Sequence, residues 1–341
     1  MRELLLKKLM DNQHSYVSGE EISKELNVSR TAIWKHIKEL KKRGYEISSA
    51  SNKGYMLTST ADVLSKATIK SGLETMLLGN EIEIHESIDS TNSRAKILAL
   101  EECADGTVVI AGEQTAGRGR IGRSWDSASG KGLWMSVVLK SDIAPELAGV
   151  VTLGVSLAVV RALSKNLMGE FKIKWPNDII YNGKKLCGIL CEMSAEADRI
   201  NHIVVGIGLN ISHDVGDFPE ELQDKATSIK LCDTDSIEKG QSGNTPKIIN
   251  RAFWASQILN ELERVYFILR DEKGYDIITQ WKEHSLTLSS EVKVTYREEV
   301  FVGIAKDVTE LGELVVETST GELKIIRSGE AQVRGVLGYL N

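Results

Sequence analysis

Chemistry is most concentrated in residues 113–125, which read Glu-Gln-Thr-Ala-Gly-Arg-Gly-Arg-Ile-Gly-Arg-Ser-Trp. Here Gly117, Gly119 and Gly122 interleave with Arg118, Arg120 and Arg123. Glycine lets a backbone bend close to a ligand and bare its N–H groups. Arginine adds a planar cation that grips phosphate or carboxylate through two parallel hydrogen bonds. A loop carrying both is suited to closing over an anion; the plainer alternative is a solvated basic turn. By letter the stretch also fits Gly-x-Gly-x-x-Gly, after an apolar run at 107–111. A dinucleotide site needs its last glycine to open a helix that faces the pyrophosphate. Residues 123–132 are too short and too rich in Ser and Gly for that helix, so a Rossmann site is not expected. A P-loop fails as well, because no Gly-Lys-Ser/Thr follows.

Other residues could share this chemistry. Ser90, Thr91 and Asn92 stand at a strand-to-helix junction, where they either cap the helix or bind a polar ligand at its N-terminus. Gln114 opens the Arg/Gly loop. Gly206 and Gly208 interrupt an apolar strand, which marks either a ligand pressed on the backbone or a bulge. Lys185 follows an Asn182-Gly183 hairpin turn. Asp178, after Pro176, either forms an Asx turn or helps to place magnesium or an amine. Trp125 and Trp134 are apolar walls or plain core.

The elements needed to position these residues can be read from periodicity and punctuation. Strands are expected at 81–87, 107–113, 132–140, 171–175 and 201–211, with a hairpin over 179–193. Residues 145–167 are apolar nearly all round and read as a buried helix. The result is a mixed sheet with helices packed on it, not a repeated βαβ order. Residues 212–228 and 233–244 read as polar loops, the first of them mobile, and 245–270 as a long amphipathic helix. Short strands beyond Ser289 suggest a small barrel.

The head differs in charge. Residues 1–60 carry a net +4 in a chain of −6, leaving −10 to the other 281 residues. A helix at 2–10, a capping box at Ser18–Glu21, a turn at 27–29 and a helix at 30–43 lead into a hairpin around 51–53. Ile33, Ile37 and Leu40 form the buried stripe of the second of the paired helices. This is the pattern of a winged helix-turn-helix, whose second helix enters the major groove. Ser29 caps that helix, and Arg30, Thr31, Trp34 and Lys35 are expected at base edges or nearby phosphates. Lys38, Lys41, Lys42 and Lys53 would meet backbone phosphate, although any one lysine could simply be solvated. One such module reads a half-site, so a homodimer on DNA is expected.

A length of 341 residues suits two or three domains, and 42% hydrophobic with 26% charged residues is ordinary for a soluble globular chain. The longest mostly apolar run, 149–160, is too short to span a bilayer, and no signal peptide is evident. The four cysteines form neither a paired framework nor a zinc pattern, so buried thiols and a reducing cytoplasm are expected.

In order, the chain carries Asp89-Ser-Thr-Asn92, Gln114, Gly117-Arg-Gly-Arg-Ile-Gly122 with Trp125, Lys174-Trp-Pro-Asn-Asp178, Lys185-Leu-Cys-Gly-Ile189 and Gly206-Ile-Gly-Leu-Asn210. Each motif is weak alone, but the ordered set closely resembles the biotin–protein ligases. With the head in front, nearly the whole chain resembles the bifunctional kind, which is also a biotin operon repressor.

The resemblance implies an α+β multidomain fold. Residues 1–60 would be the winged helix-turn-helix domain and 61–80 a helical linker. Residues 81–285 would be a central mixed-sheet α/β ligase domain, class II synthetase-like, and 286–341 a C-terminal SH3-like β-barrel. It implies ATP-dependent activation of biotin to biotinyl-5′-AMP, with Mg²⁺, and transfer to a lysine of the biotin carboxyl carrier protein of acetyl-CoA carboxylase. Biotin operator DNA is the other implied partner, and no membrane is involved. Biotin or adenylate contacts carry over to Ser90, Thr91, Asn92, Gln114, Gly117, Arg118, Gly119, Arg120, Trp125, Lys185, Gly206 and Gly208. The catalytic set is Arg118, Arg120, Lys185 and Asp178, with no protein-held metal. Base specificity does not carry over. Two other classes stay open at this level: a redox-sensing repressor with a Rossmann domain, and a biotin-responsive regulator with an inactive ligase domain.

Overall fold

A computed structural model describes residues 1–12, 15–42, 44–59, 62–140, 143–196, 199–238, 249–271, 274–296, 299–328 and 331–335. The head contains α1 (Arg2–Asp11), α2 (Gly19–Leu26) and α3 (Arg30–Lys42), followed by the hairpin β1 (Glu46–Ala50) and β2 (Gly54–Ser59). Leu5, Leu9, Ile22, Ile33, Ile37, Leu40 and Leu57 close its core, so the stripe expected on α3 is the buried one. Ser29 caps α3 by accepting from the Ala32 N–H at 3.2 Å. The expected capping box at Ser18 does not form. Ser18 accepts from Glu20 N–H instead, and Glu21 pairs with Lys8 at 2.8 Å.

Among the described residues the linker is helical only at α4 (Lys66–Lys70), which begins with a capping box between Ser65 and Thr68. The expected start of a turn at Ala61 lies outside the described residues. Val63 and Ala67 pack on the head's core, and Tyr45 Oη lies 2.9 Å from Ser65 Oγ.

The central domain runs β3 (Ile82–His85), α5 (Thr91–Leu100), β4 (Val108–Ala111), β5 (Gly132–Leu139), α6 (Ala148–Asn166), β6 (Phe171–Lys174), β7 (Asp178–Tyr181), β8 (Lys184–Ala195) and β9 (Ile200–Asn210). The order across the sheet is β3-β4-β5-β9-β8-β7-β6. Among the described strands of this sheet only β3 and β4 pair in parallel, so the sheet is mixed, as the sequence suggests. Asn182 (φ 46°) and Gly183 (φ 74°) both take the left-handed conformation of a two-residue hairpin turn. Among the described residues the domain continues with α7 (Ile229–Glu238), α8 (Arg251–Arg270) and α9 (Gly274–Glu283).

Helix α6, with the turn before it, is the buried helix expected at 145–167. Pro145–Asn166 spans 22 residues and is long and apolar enough to cross a membrane. In the fold, 67% of its apolar window is buried inside the protein, which accounts for its composition. Each Val or Leu so buried contributes about 1.5–3 kcal/mol.

Two further readings change. Residues 229–238 form α7, not part of a polar loop. Its buried positions Ile229, Cys232, Asp233 and Ser236 follow helical spacing, but two are polar, so no apolar stripe shows in the sequence. Residues 239–244 of that expected loop lie outside the described residues, as do residues 245–248 of the long helix. Among the described residues, the long helix begins at Arg251, with Asn250 as its cap.

Helix α8 also fastens the linker. Asp62 pairs with Arg251 at 2.6 Å. The buried Glu263 carboxylate accepts from the N–H groups of Met76, Leu77 and Leu78 at 2.7, 2.8 and 2.8 Å. Replacing Glu263 with alanine orphans three backbone donors and is expected to destabilise the chain by about 3 kcal/mol. Urea unfolding followed by circular dichroism checks this; a midpoint equal to wild type would refute the capping role.

The C-terminal sheet is antiparallel, in the order β13-β12-β11-β10-β14. Its strands are β10 (Glu291–Tyr296), β11 (Glu299–Val308), β12 (Leu314–Thr318), β13 (Leu323–Ile326) and β14 (Ala331–Gly335). Its core joins that of the central domain, and Trp175 Nε1 donates to Gly312 O at 3.2 Å. The four cysteines are free. Cys187 and Cys232 are buried, and burial pushes the Cys232 thiol up to about 12, while Cys103 and Cys191 are half-buried.

Candidate functional site

A cavity of about 760 Å³ opens between the central sheet, the Arg/Gly loop and the edge of the C-terminal sheet. Ser90 caps α5, which buries Thr91 and Asn92 in its first turn at the cavity wall. The cap therefore forms as expected, and the same three residues face the cavity. Gln114 Oε1 accepts from Thr91 N–H at 2.8 Å, and its Nε2 donates to Ser127 Oγ at 2.8 Å. Ser136 Oγ, buried on β5, lies 2.7 Å from Thr91 Oγ1 and 2.6 Å from Asn92 Oδ1. Asn92 Nδ2 donates to Glu192 Oε2 at 2.9 Å.

Gly206 and Gly208 floor this wall. The register of β9 with β5 and β8 runs unbroken through both, so neither marks a bulge. A Cβ on Gly206 would stand 2.1 Å from Asn92 Oδ1, and one on Gly208 2.6 Å from the Trp125 ring. The glycines thus make room for two pocket side chains. Trp125 is half-buried and lines the cavity, whereas Trp134 is wholly core.

The Arg/Gly stretch is a miniature hairpin. Gly119 N–H donates to Arg123 O at 2.7 Å, and Arg123 N–H to Arg120 O at 3.2 Å. The turn residues Ile121 (φ 54°) and Gly122 (φ 68°) are both left-handed, a conformation that strains a β-branched residue. No helix follows Gly122, which removes the geometry of a dinucleotide site. Gly117 does not line the cavity. It closes the hairpin's base, where a Cβ would lie 2.3 Å from Trp125 O.

The three arginines are held differently. Arg118 is exposed, 3.6 Å from Glu192. Arg120 donates to Asn177 Oδ1 at 2.9 Å and to the carbonyls of Ser328 and Ala331. Burial pulls its pKa below the usual guanidinium range, against the pull of Asp178. Arg123 donates to Gln332 Oε1 at 2.8 Å. Lys185 Nζ lies 2.7 Å from Asp178 Oδ1 and 5.0 Å from the Trp125 ring centre.

Residues 212–228, expected as a loop, contain two 3₁₀ turns and run along Lys185. Lys185 N–H donates to Lys225 O at 2.7 Å, and Thr227 N–H to Lys185 O at 2.9 Å. Lys174, Lys184 and Lys225 also line the cavity, so seven basic side chains face two acidic ones, Asp178 and Asp224. Among the described residues, no group of three His, Cys, Asp or Glu side chains is placed to hold a metal ion.

Sequence reading misses Ser136, Glu192 and Gln332. Ser136 and Glu192 sit inside strands with no local motif, and Gln332 lies on a strand that carries no turn signal of its own.

On the head, Ser29, Arg30, Thr31, Trp34, Lys35, Lys38, Lys41, Lys42 and Lys53 are all exposed. Trp34 is 53% exposed and does not cap the core; Lys38 Nζ stands 5.4 Å from its ring centre. Arg30 and Lys53 line one groove of about 430 Å³ between α3 and the hairpin.

Fold and site together define a class: a mixed-sheet domain built around a cavity rimmed by basic side chains, joined behind a helix-turn-helix head. Residues 84–210 match the biotin/lipoate A/B protein ligase family, residues 2–56 an HTH domain, and 287–334 the biotin protein ligase C-terminal domain. The chain is 36% identical to the bifunctional ligase/repressor BirA of Bacillus subtilis (strain 168), over 95% of this chain and 96% of that protein. It is 26% identical to the bifunctional ligase/repressor BirA of Escherichia coli (strain K12), over 93% and 92% of the two chains. The biotin protein ligase from Aquifex aeolicus, solved in complex with biotin and ATP, superposes with a TM-score of 0.60 at 28% identity. That match covers 75% of this chain and 99% of the other. The chain belongs to the bifunctional ligase/repressor family.

Proposed function

We propose that this chain joins biotin to ATP, releasing pyrophosphate, and then passes the biotinyl group from biotinyl-5′-AMP to a lysine of biotin carboxyl carrier protein. Its head represses biotin genes at operator DNA under control of the same ligand. The observation that carries the ligase half is one cavity in which seven basic side chains meet two carboxylates beside a glycine-floored strand. Biotin brings one carboxylate and a neutral ring system; ATP brings a polyphosphate. The uncharged wall of Ser90, Thr91, Asn92, Gln114, Gly206 and Gly208 suits the first, and the basic rim suits the second.

In the first step a biotin carboxylate oxygen bonds to the α-phosphorus, and pyrophosphate leaves with the electron pair of the broken P–O bond. Two anions are forced together and charge builds on the phosphoryl oxygens. Fixed cations at that point lower the barrier most. Arg118 and Lys185 have the reach and the exposure for this role. Mg²⁺ would arrive on the nucleotide's phosphates, with Asp178 the carboxylate able to reach it, and would neutralise the pyrophosphate. In the second step the neutral carrier amine attacks the acyl carbon, AMP leaves with the electron pair of the broken C–O bond, and the new amide nitrogen releases a proton. Closing the Arg/Gly hairpin and the 212–228 segment over the anhydride keeps water away. The adenylate stays noncovalent, so no nucleophilic triad is required.

The repressor half implies a homodimer that sets two reading helices on two half-sites, in the cytoplasm where thiols stay reduced. Incubation with biotin and Mg-ATP, followed by assay for biotinyl-AMP and labelled carrier protein, tests the ligase; absence of adenylate would sink it. DNA affinity unchanged by biotin plus ATP would refute ligand control. Replacing Lys35 with alanine is expected to weaken operator binding and to reduce the slope of log affinity against log salt by about one per subunit. Adenylate yield should be unaffected, and an unchanged salt slope would remove Lys35 from the phosphate contacts.

A further inference from the structure

Asn92 is fixed from two sides by residues that have no place in the chemistry. On one side Ser136 Oγ, buried on β5, lies 2.6 Å from its Oδ1. On the other, its Nδ2 donates to Glu192 Oε2 at 2.9 Å and reaches toward Leu190 O at 3.4 Å. Below it lies the bare Cα of Gly206, where a Cβ would stand 2.1 Å from Asn92 Oδ1. A terminal amide has two nearly isosteric orientations with opposite hydrogen-bonding faces, and only its partners decide between them. A carboxylate accepts and never donates when ionised, so Glu192 admits only the amide's NH₂ on its side. Asn92 Oδ1 is thereby turned toward Ser136 and the floor of the cavity.

Glu192 is itself kept ionised. Burial works to raise its pKa, but hydrogen bonds from Asn92 and Lys96, with nearby Arg118, outweigh burial and hold the carboxyl below the usual glutamate range. Lys96 Nζ lies 2.7 Å from Glu192 Oε1. The Glu192 side chain is 21% exposed and does not line the cavity, so it does not touch ligand directly.

We propose that Glu192 is a positioning residue for biotin: it locks the Asn92 amide so that an oxygen acceptor faces the ligand's ring end. Biotin's ureido ring carries two N–H donors, and an amide turned the wrong way would oppose donor to donor. The inference rests on the reading of Asn92 as a biotin contact, and the experiment separates the two.

Steady-state pyrophosphate release is measured with biotin and ATP varied in turn, for wild type, E192A, E192Q, S136A and N92A. E192A is expected to raise the KM for biotin about tenfold, with kcat and the KM for ATP within about threefold of wild type. E192Q keeps an acceptor for Asn92 while Lys96, 36% exposed, turns to water, so it should restore the biotin KM to within about threefold. S136A, which frees the other end of the amide, should move the biotin KM in the same direction as E192A. An N92A variant with an unchanged biotin KM overturns the biotin-contact reading and the proposal with it. A raised KM in N92A beside an unchanged one in E192A overturns the proposal alone. So does an E192A variant in which both KM values rise together and kcat falls, which is the signature of a general structural loss.

Discussion

Replacing Lys185 with alanine is expected to slow biotinyl-AMP formation by about 10²–10³-fold, the loss seen when one fixed charge is removed from a developing anion. Three contacts place the ammonium without burying it. Asp178 holds it at 2.7 Å, the Trp125 ring lies 5.0 Å away, and the backbone is pinned to residues 225–227 of the neighbouring segment. A lysine so held offers a point charge with little reorganisation when a phosphoryl group arrives. Its ion pair with Asp178 is partly exposed, so the lysine can exchange this partner for a stronger anion without a large desolvation penalty. The effect should fall on the first half-reaction. Biotinyl-AMP supplied preformed bypasses that step, and the variant should transfer biotin from it to carrier protein within about tenfold of wild type. Rapid-quench measurement of pyrophosphate and of labelled carrier separates the two steps. A loss of less than about tenfold in adenylate formation would remove Lys185 from the transition state. An equal loss in both steps would make it a structural support for the wall of the cavity.

Much of this site is visible in the sequence because its parts are local. Ser90, Thr91 and Asn92 announce themselves as a helix cap, and the Asn182-Gly183 turn fixes the hairpin that carries Lys185. Gly206 and Gly208 stand out because glycine weakens a strand unless something needs the space. What the sequence does not carry is pairing between distant segments. Glu192 and Ser136 look like ordinary strand residues until the sheet brings β8, β5 and β9 side by side. Helix α7 is missed because its buried face includes Asp233 and Ser236, so binary patterning shows a loop. The same limit applies to the Arg/Gly loop. Composition gives its charge, but not that Arg120 and Arg123 turn to the C-terminal sheet, whose β14 has no signature of its own. The C-terminal sheet thus acquires a place at the site that its sequence does not suggest: it holds the loop's far side.

That placement sets the second large expectation. Replacing Arg120 with alanine should lower adenylate formation by about 10²-fold, and replacement with lysine should recover little of it. A guanidinium presents its donors in a rigid planar fork, and here that fork is shared among Asn177 Oδ1, Ser328 O and Ala331 O. A lysine keeps the charge but cannot span the three acceptors. Removing the fork leaves the carbonyls of half-buried Ser328 and buried Ala331, and Asn177, short of a donor. It unties the hairpin from the 174–178 turn and loosens it from β14, where Arg123 still reaches Gln332. Arg120 would then act first as the strut that holds Arg118 in range of the ligand, and only second as a charge in its own right. These roles separate in three measurements. If Arg120 is a strut, trypsin should cut the loop of R120A faster than that of wild type, most visibly with biotin and ATP present. Replacing Asn177 with alanine should also reproduce part of the kinetic loss, because it removes one of the three acceptors without touching any charge. If charge alone matters, R120K should be close to wild type and N177A silent. Near-normal adenylate formation by R120K would therefore overturn the strut, and with it the link between the C-terminal sheet and closure of the Arg/Gly hairpin.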